Sequence, residues 1–197
     1  TSSLGVGRTA VAIAAGSQHA CALLDDGNVS CWGYNYWYHL GTGDGVGDDY
    51  RTPKNTPTQT ASLGAGRTAT AISAGSDHTC ALLDDGTVAC WGDNQDAQAS
   101  GSSGNNVDRT PTQTNSFGTG RTAVALAAGG RHTCALLDDG TISCWGKNNY
   151  GQLGDGTAIN KGSPTQTQSL GTGRSAVSIS AGDLHTCAVL DDGTVSC

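Results

Sequence analysis

The sequence predicts an all-β chain built from repeated small antiparallel sheets, and three observations predict it. One block of residues recurs four times along 197 residues. Each copy holds an Asp-Asp-Gly suited to a tight hairpin, flanked by a cysteine pair at constant spacing. The composition disfavours helix: there is no Glu and no Met, only three Lys, and 30 Gly. Strong helix formers are scarce, while Thr, Val and Ser, which suit strands and turns, are abundant.

The repeat is the primary signal. Four stretches open at Gly7-Arg8, Gly66-Arg67, Gly120-Arg121 and Gly173-Arg174. Each continues through an Ala/Val/Ile-rich segment into Ala-Gly-x-x-His-x-Cys-Ala-x-Leu-Asp-Asp-Gly-x-x-x-Cys. Trp-Gly follows the second Cys at Trp32-Gly33, Trp91-Gly92 and Trp145-Gly146. The units are read as residues 1–57, 58–110, 111–164 and an incomplete 165–197, one continuous repeat domain belonging to a longer protein or assembly. No initiator Met or signal peptide is visible, so a processed, trimmed or partial chain is expected.

In the third unit, residues 123–127 alternate small and branched side chains as a packed strand does. Residues 133–137 and 141–145 supply two more strands around the loop Asp138-Asp139-Gly140. A short fourth strand is expected near residues 150–154, with the Pro-containing Thr-Gln-Thr segments as polar connectors. A three-residue hairpin loop commonly pairs a type I turn with a left-handed residue. Gly takes that conformation without steric cost, and Asp side chains bond nearby amides.

Centring the hairpin on the second Asp sets residue 134 opposite 144, and the same holds in every copy. The pairs are Cys21/Cys31, Cys80/Cys90, Cys134/Cys144 and Cys187/Cys197. Opposed residues at a non-hydrogen-bonded antiparallel site have Cα atoms about 4.5 Å apart, within the disulfide range of about 4.4–6.8 Å. Each bridge would constrain the unfolded chain by at most about 2.8 kcal/mol. Zinc is the competing reading, because His132, Cys134 and Cys144 are ligand types, but the short Cys-x-x-Cys spacing is absent. Disulfides persist in oxidising compartments, so the expected location is secreted, extracellular or on the cell surface.

The string Ala128-Gly129-Gly130-Arg131-His132-Thr133-Cys134 through Trp145-Gly146 to Tyr150-Gly151-Gln152-Leu153-Gly154-Asp155-Gly156 resembles a repeat of the regulator of chromosome condensation family. The likeness covers nearly the whole chain and is weaker after Trp32 and Trp91. It implies a β-propeller in which each repeat supplies about one four-stranded blade, usually with seven blades in the ring. It also implies a binding face made of loops: family members act as a nuclear exchange factor for a small GTPase, as chromatin binders and, in secreted bacterial forms, as protein inhibitors. Two features depart from that pattern. The paired cysteines place this chain outside the cell, and no basic arm for DNA is present. Four units imply an incomplete ring or an open array, whose unpaired edges invite end-to-end association.

Formal net charge is −7, from 17 Asp against seven Arg and three Lys, with no basic run, which excludes a phosphate-binding surface for nucleic acid. No stretch reaches the roughly 18 apolar residues of a membrane span. No catalytic triad, carboxylate pair or phosphate loop is visible, so the chain is not read as an enzyme, and no cofactor is expected.

The first unit breaks pattern where the third has Lys147-Asn148-Asn149-Tyr150-Gly151-Gln152: it carries Tyr34-Asn35-Tyr36-Trp37-Tyr38-His39, then a longer loop to Tyr50. Clustered loop aromatics suit contact with a protein or glycan partner, so Tyr34, Tyr36, Trp37, Tyr38, His39 and Tyr50 are the binding candidates. The alternative is packing against a neighbouring unit or subunit. Asp44, Asp48 and Asp49 are a weak calcium candidate lacking the Asp-x-Asp-x-Asp-Gly order. The repeated His (His19, His78, His132, His185) is read as a structural hydrogen-bonding residue. The repeated Arg is read as an inter-repeat contact, and Trp32, Trp91 and Trp145 as packing residues. Thr56-Pro57-Thr58, Thr110-Pro111-Thr112 and Ser163-Pro164-Thr165 are sites where O-linked sugars are conceivable, and Asn28-Val29-Ser30 is a formal N-linked acceptor. The functional expectation is an extracellular binding or scaffold module. A structural subunit of a filament or surface coat, a homopolymer of the chain, is the alternative.

Overall fold

A computed structural model describes residues 4–43, 52–101 and 107–197. Among these residues there are strands and no helix, so none is long and apolar enough to cross a membrane. The first sheet is β1 (Ala10–Ala15), β2 (His19–Leu24), β3 (Val29–Gly33) and β4 (Lys54–Gln59). The second is β5 (Ala69–Ala74), β6 (His78–Leu83), β7 (Val88–Asp93) and β8 (Val107–Gln113). The third is β9 (Ala123–Ala128), β10 (His132–Leu137), β11 (Ile142–Gly146) and β12 (Lys161–Gln166). The fourth has three strands, β13 (Ala176–Ala181), β14 (Thr186–Leu190) and β15 (Val195–Ser196). Within each sheet, sequence neighbours pair antiparallel in chain order. The boundaries read after residues 57, 110 and 164 each fall inside a fourth strand.

The hairpin register matches the sequence reading: Cys134 faces Cys144, Ala135 faces Ser143 and Leu136 faces Ile142. All four cysteine pairs are bonded, with Cα separations of 4.1, 4.1, 4.1 and 4.0 Å. In the third unit the Gly140 amide donates to the Leu137 carbonyl at 2.9 Å, and Gly140 has φ +78°. Asp139 accepts from the Thr141 amide at 3.0 Å and its hydroxyl at 2.6 Å.

The fourth strand is not where the sequence placed it. Residues 150–154 turn twice, through Gly151 N–H to the Asn148 carbonyl and Gly154 N–H to the Gly151 carbonyl. The Pro-containing segment, expected as a connector, is the strand β12. Proline is tolerated there because the strand lies at the sheet edge and its register shifts between Cys144 and Gly146.

Alternation along the strands gives each sheet two apolar faces, and the core lies between consecutive sheets. Cys21, Leu23, Val29 and Cys31 of the first sheet meet Ala69, Ala81, Leu83, Ala89 and Trp91 of the second. Cys80, Leu82, Val88 and Cys90 meet Ala123, Ala135, Leu137 and Trp145 in the same way. Neighbouring Leu82 and Leu83 thus serve different interfaces, as a period of two requires. The innermost strands β1, β5, β9 and β13 contact one another in succession. The described residues form an open arc of blades rather than a closed ring.

Each boundary is also crossed by a backbone hydrogen bond. The turn glycine's carbonyl accepts from the first strand of the next sheet: Ala69 N–H to Gly27 at 2.8 Å, Ala123 to Gly86 at 2.9 Å, and Ala176 to Gly140 at 2.8 Å. A Cβ at Gly27, Gly86 or Gly140 would lie 2.5 Å from Thr68, Thr122 or Ser175 of the following unit. The repeated Arg, expected to bridge repeats, instead braces its own hairpin. Arg8 contacts Asp25 at 3.3 Å and Asp26 at 2.8 Å, and Arg174 contacts Asp191 and Asp192 likewise. The hairpin turn folds back toward the Arg of its own unit, which puts both carboxylates within its reach.

Candidate functional site

β3 ends at Gly33, and the chain enters a turn that the sequence marked as aromatic. The Tyr34 amide donates to the Gln18 carbonyl at 2.9 Å, and the Asn35 side chain accepts from the Leu40 amide at 3.1 Å. Asn94 and Asn148 hold the corresponding turns through Ala99 and Leu153 at 3.0 and 2.9 Å. The fixed Asn thus closes the turn.

Four aromatics converge on this turn. Tyr34 and Tyr36 stack, with ring centroids 6.2 Å apart and planes 9° from parallel. Trp37 meets Tyr36 edge-on, with centroids 4.9 Å apart. Arg109, from β8 of the next sheet, lies 4.7 Å over the Tyr38 ring. Tyr34 is exposed, and Tyr36, Trp37 and Tyr38 are half-buried. Tyr38 has φ +59°, and the corresponding Ala97 has φ +63°, where the third unit places Gly151. Holding a bulky residue there costs on the order of 1–3 kcal/mol, and such strain is retained mainly where surroundings or function demand it.

His39 belongs to the interior instead. Its side chain is fully buried and bonds the Tyr34 carbonyl, and its carbonyl accepts from Thr79 Oγ1 and Trp91 Nε1, each at 2.9 Å. Burial holds its pKa below the usual histidine range. Tyr50, Asp44, Asp48 and Asp49 lie outside the described residues. Among the described residues no cluster of three His, Cys or Asp side chains is arranged to hold a metal. The cysteines of the alternative zinc set are committed to disulfides.

The repeated His makes a hydrogen bond the sequence did not locate. His19, His78 and His132 reach across to Thr79, Thr133 and Thr186 of the next unit at 2.8, 2.9 and 2.8 Å. Each threonine donates its single hydroxyl proton to a turn carbonyl, His39, Gln98 or Gln152. The histidine Nε2 must therefore be the donor, which leaves Nδ1 without a proton. Among the described residues, Nδ1 has no partner in any of the three. Burial pushes His19 and His78 down to about 3 and His132 to about 4, with neighbouring histidines adding to the effect. The rings are neutral struts, unable to serve as bases toward solvent from 0–5% exposure. Thr between His and Cys in three of four copies was the available signal, with Ala20 the exception.

The models of the regulator of chromosome condensation (RCC1) repeat match residues 10–36, 69–98 and 123–152 in one form, and residues 26–82 and 139–189 in another. The human E3 ubiquitin-protein ligase HERC2 is 31% identical over 187 residues, covering 93% of this chain and 4% of that protein. The Ultraviolet-B receptor UVR8 of Arabidopsis thaliana is 30% identical over 188 residues, covering 93% of this chain and 39% of that one. Yeast RCC1 (Prp20), solved bound to Kap60, superposes with a TM-score of 0.80 at 23% identity, covering 96% of this chain and 43% of that chain. The ectodomain of the Physcomitrella patens receptor kinase CR4 gives a TM-score of 0.57 at 26% identity, covering 94% of this chain and 39% of that one. The chain thus spans less than half the length of each of these. With the repeat models matching more than half of its residues, and with blades of the same architecture, the chain belongs to the regulator of chromosome condensation (RCC1) repeat family.

Proposed function

We propose that the chain is a non-catalytic, extracellular protein-binding module whose contact surface is the turn from Tyr34 to Tyr38. The observation that carries this is the clustering of four aromatics on one turn, with Tyr38 held at φ +59°. Partly exposed aromatics are the side chains that dominate protein interfaces. Yeast RCC1 is a protein binder, solved with Kap60, and the receptor-kinase ectodomain is an extracellular use of a like fold. Four disulfides support an oxidising location.

The test is retention of labelled chain on the outer surface of cells of its source. Replacing Tyr36→Ala and Trp37→Ala together is expected to lower retention at least tenfold, with the disulfides and fold intact. Unchanged retention overturns the turn as the contact surface. Retention abolished by glycosidase but not by protease overturns a protein partner in favour of a glycan.

A further inference from the structure

The seam between the first and second sheets carries a pair of side chains that the next seam lacks. Arg109 of β8 lies 4.7 Å over the ring of Tyr38, on the turn of the first unit. By strand register Arg109 corresponds to Gly162, since Thr112 faces Cys90 as Thr165 faces Cys144. Counted from the Asn that closes each turn, Tyr38 corresponds to Ala97, and the two have φ of +59° and +63°. A Cβ placed at Gly162 would lie 3.9 Å from the Ala97 methyl, so these sister positions also meet. That seam closes with a single methyl group between the two backbones. The fold therefore does not require the Tyr38–Arg109 pair, and both side chains are additions at one point of contact.

The bonding that Arg109 leaves unfilled shows what it can take. Arg8, Arg67, Arg121, Arg131 and Arg174 each pair with an Asp carboxylate. Arg109 is exposed, and among the described residues it makes no ion pair, in a chain of net charge −7. A guanidinium stacked on an aromatic ring uses its flat side and keeps the N–H groups of its edge for a second partner. That edge matches a carboxylate through two parallel hydrogen bonds. Stacking also holds the fork in place, so less side-chain freedom is lost on binding.

The surroundings complete the site. Tyr36 and Trp37 precede Tyr38 on the same turn, half-buried and packed edge to face with centroids 4.9 Å apart. They set apolar ring surface near the guanidinium. The net charge of −7 disfavours an acidic segment over most of the remaining surface, which adds discrimination by repulsion.

We infer that Arg109, stacked on Tyr38, anchors a carboxylate side chain of the partner protein, an Asp or Glu beside an apolar residue that packs on Tyr36 and Trp37. The inference rests on the aromatic turn being the contact surface, and it names the chemistry of the partner there.

The test probes an immobilised array of random synthetic octapeptides with the labelled 197-residue chain and its variants. Bound peptides are expected to be enriched in Asp or Glu next to an aromatic or aliphatic residue. Arg109→Gln is expected to lower binding to that set at least tenfold, and Arg109→Lys, which keeps the charge but not the fork, to lower it less. Arg109→Glu is expected to lose the acidic set and to gain peptides bearing Lys or Arg, a gain that a misfolded chain cannot produce. Acidic peptides bound equally by Arg109→Gln overturn the anchor. An array that retains nothing, or shows no preference for carboxylates, overturns it as well. Cell retention separates the two readings. Loss on Tyr36→Ala with Trp37→Ala, but not on Arg109→Gln, keeps the contact surface and discards the carboxylate, whereas loss in neither discards both.

Discussion

His19 Nε2 and Thr79 Oγ1, 60 positions apart in sequence, meet at 2.8 Å across the boundary between the first two sheets. The threonine passes the interaction on to the His39 carbonyl at 2.9 Å, so one hydroxyl joins the ring of β2 to the turn that carries the aromatics. The same three-part chain recurs at the next two boundaries.

Thr79→Val is expected to destabilise the chain by about 1–3 kcal/mol, because it strands the buried His19 N–H, while the His39 carbonyl keeps its bond from Trp91 Nε1. Thr79→Ser, which keeps the hydroxyl, is expected to cost less than half as much. Denaturant midpoints of the two variants check this, and equal losses would show that the methyl group, not the hydroxyl, matters.

Acid should loosen these boundaries before it reaches the turn carboxylates. The folded-state pKa of His19, His78 and His132 is lowered, to about 3, 3 and 4, below the unfolded value of about 6.5. Lowered histidines contribute stability that is fully present above pH 6.5 and is lost as pH falls toward 3–4. At pH 5 the loss is on the order of 2 kcal/mol for each buried ring. Unfolding midpoints measured between pH 7 and pH 5 should fall steadily. The turn carboxylates Asp26, Asp85, Asp139 and Asp192 have lowered pKa values through their hydrogen bonds, so they remain charged over that interval.

Gly27→Ala and Gly193→Ala separate backbone strain from boundary packing. Both glycines have positive φ, +77° and +81°, so both substitutions incur the left-handed penalty. Of the two, Gly27 faces a neighbour, with Thr68 2.5 Å from the added carbon, whereas among the described residues nothing lies within 4 Å at Gly193. Gly27→Ala is expected to cost about 1–3 kcal/mol more, the range for overpacking. Equal losses in thermal unfolding would mean that the turn glycine serves its own hairpin alone.

The four disulfides should not reduce together. Cys21, Cys31, Cys80, Cys90, Cys134 and Cys144 are fully buried, while Cys187 is half-buried and Cys197 is exposed. Under limiting reductant, thiol labelling and mass measurement are expected to find the Cys187–Cys197 pair modified first. Simultaneous labelling of all four pairs would show that reduction follows global unfolding.

The hairpin was legible because turn chemistry and cysteine spacing independently demanded one register, and Leu136 opposite Ile142 satisfies both. The fourth strand was not legible, since Lys161–Gln166 contains Pro164 and only an edge position makes that tolerable, which local sequence does not reveal. His39 read as one more ring in an aromatic cluster. Its burial comes from Thr79 and Trp91, which are local to a different unit. Arg8 was assigned outward because ion pairs across repeats and within a hairpin leave the same trace in a periodic sequence.

The turn-glycine carbonyls that accept from Ala69, Ala123 and Ala176 fasten each unit through groups every residue type possesses. Length variation between copies gathers elsewhere, between the third and fourth strands, at residues 34–53, 94–106 and 147–160. Joinery and ornament are therefore only partly separate. A single loop can drift toward a new target beyond its first turn, whereas that turn, whose His39 carbonyl and Leu40 meet Trp91, is held by the seam.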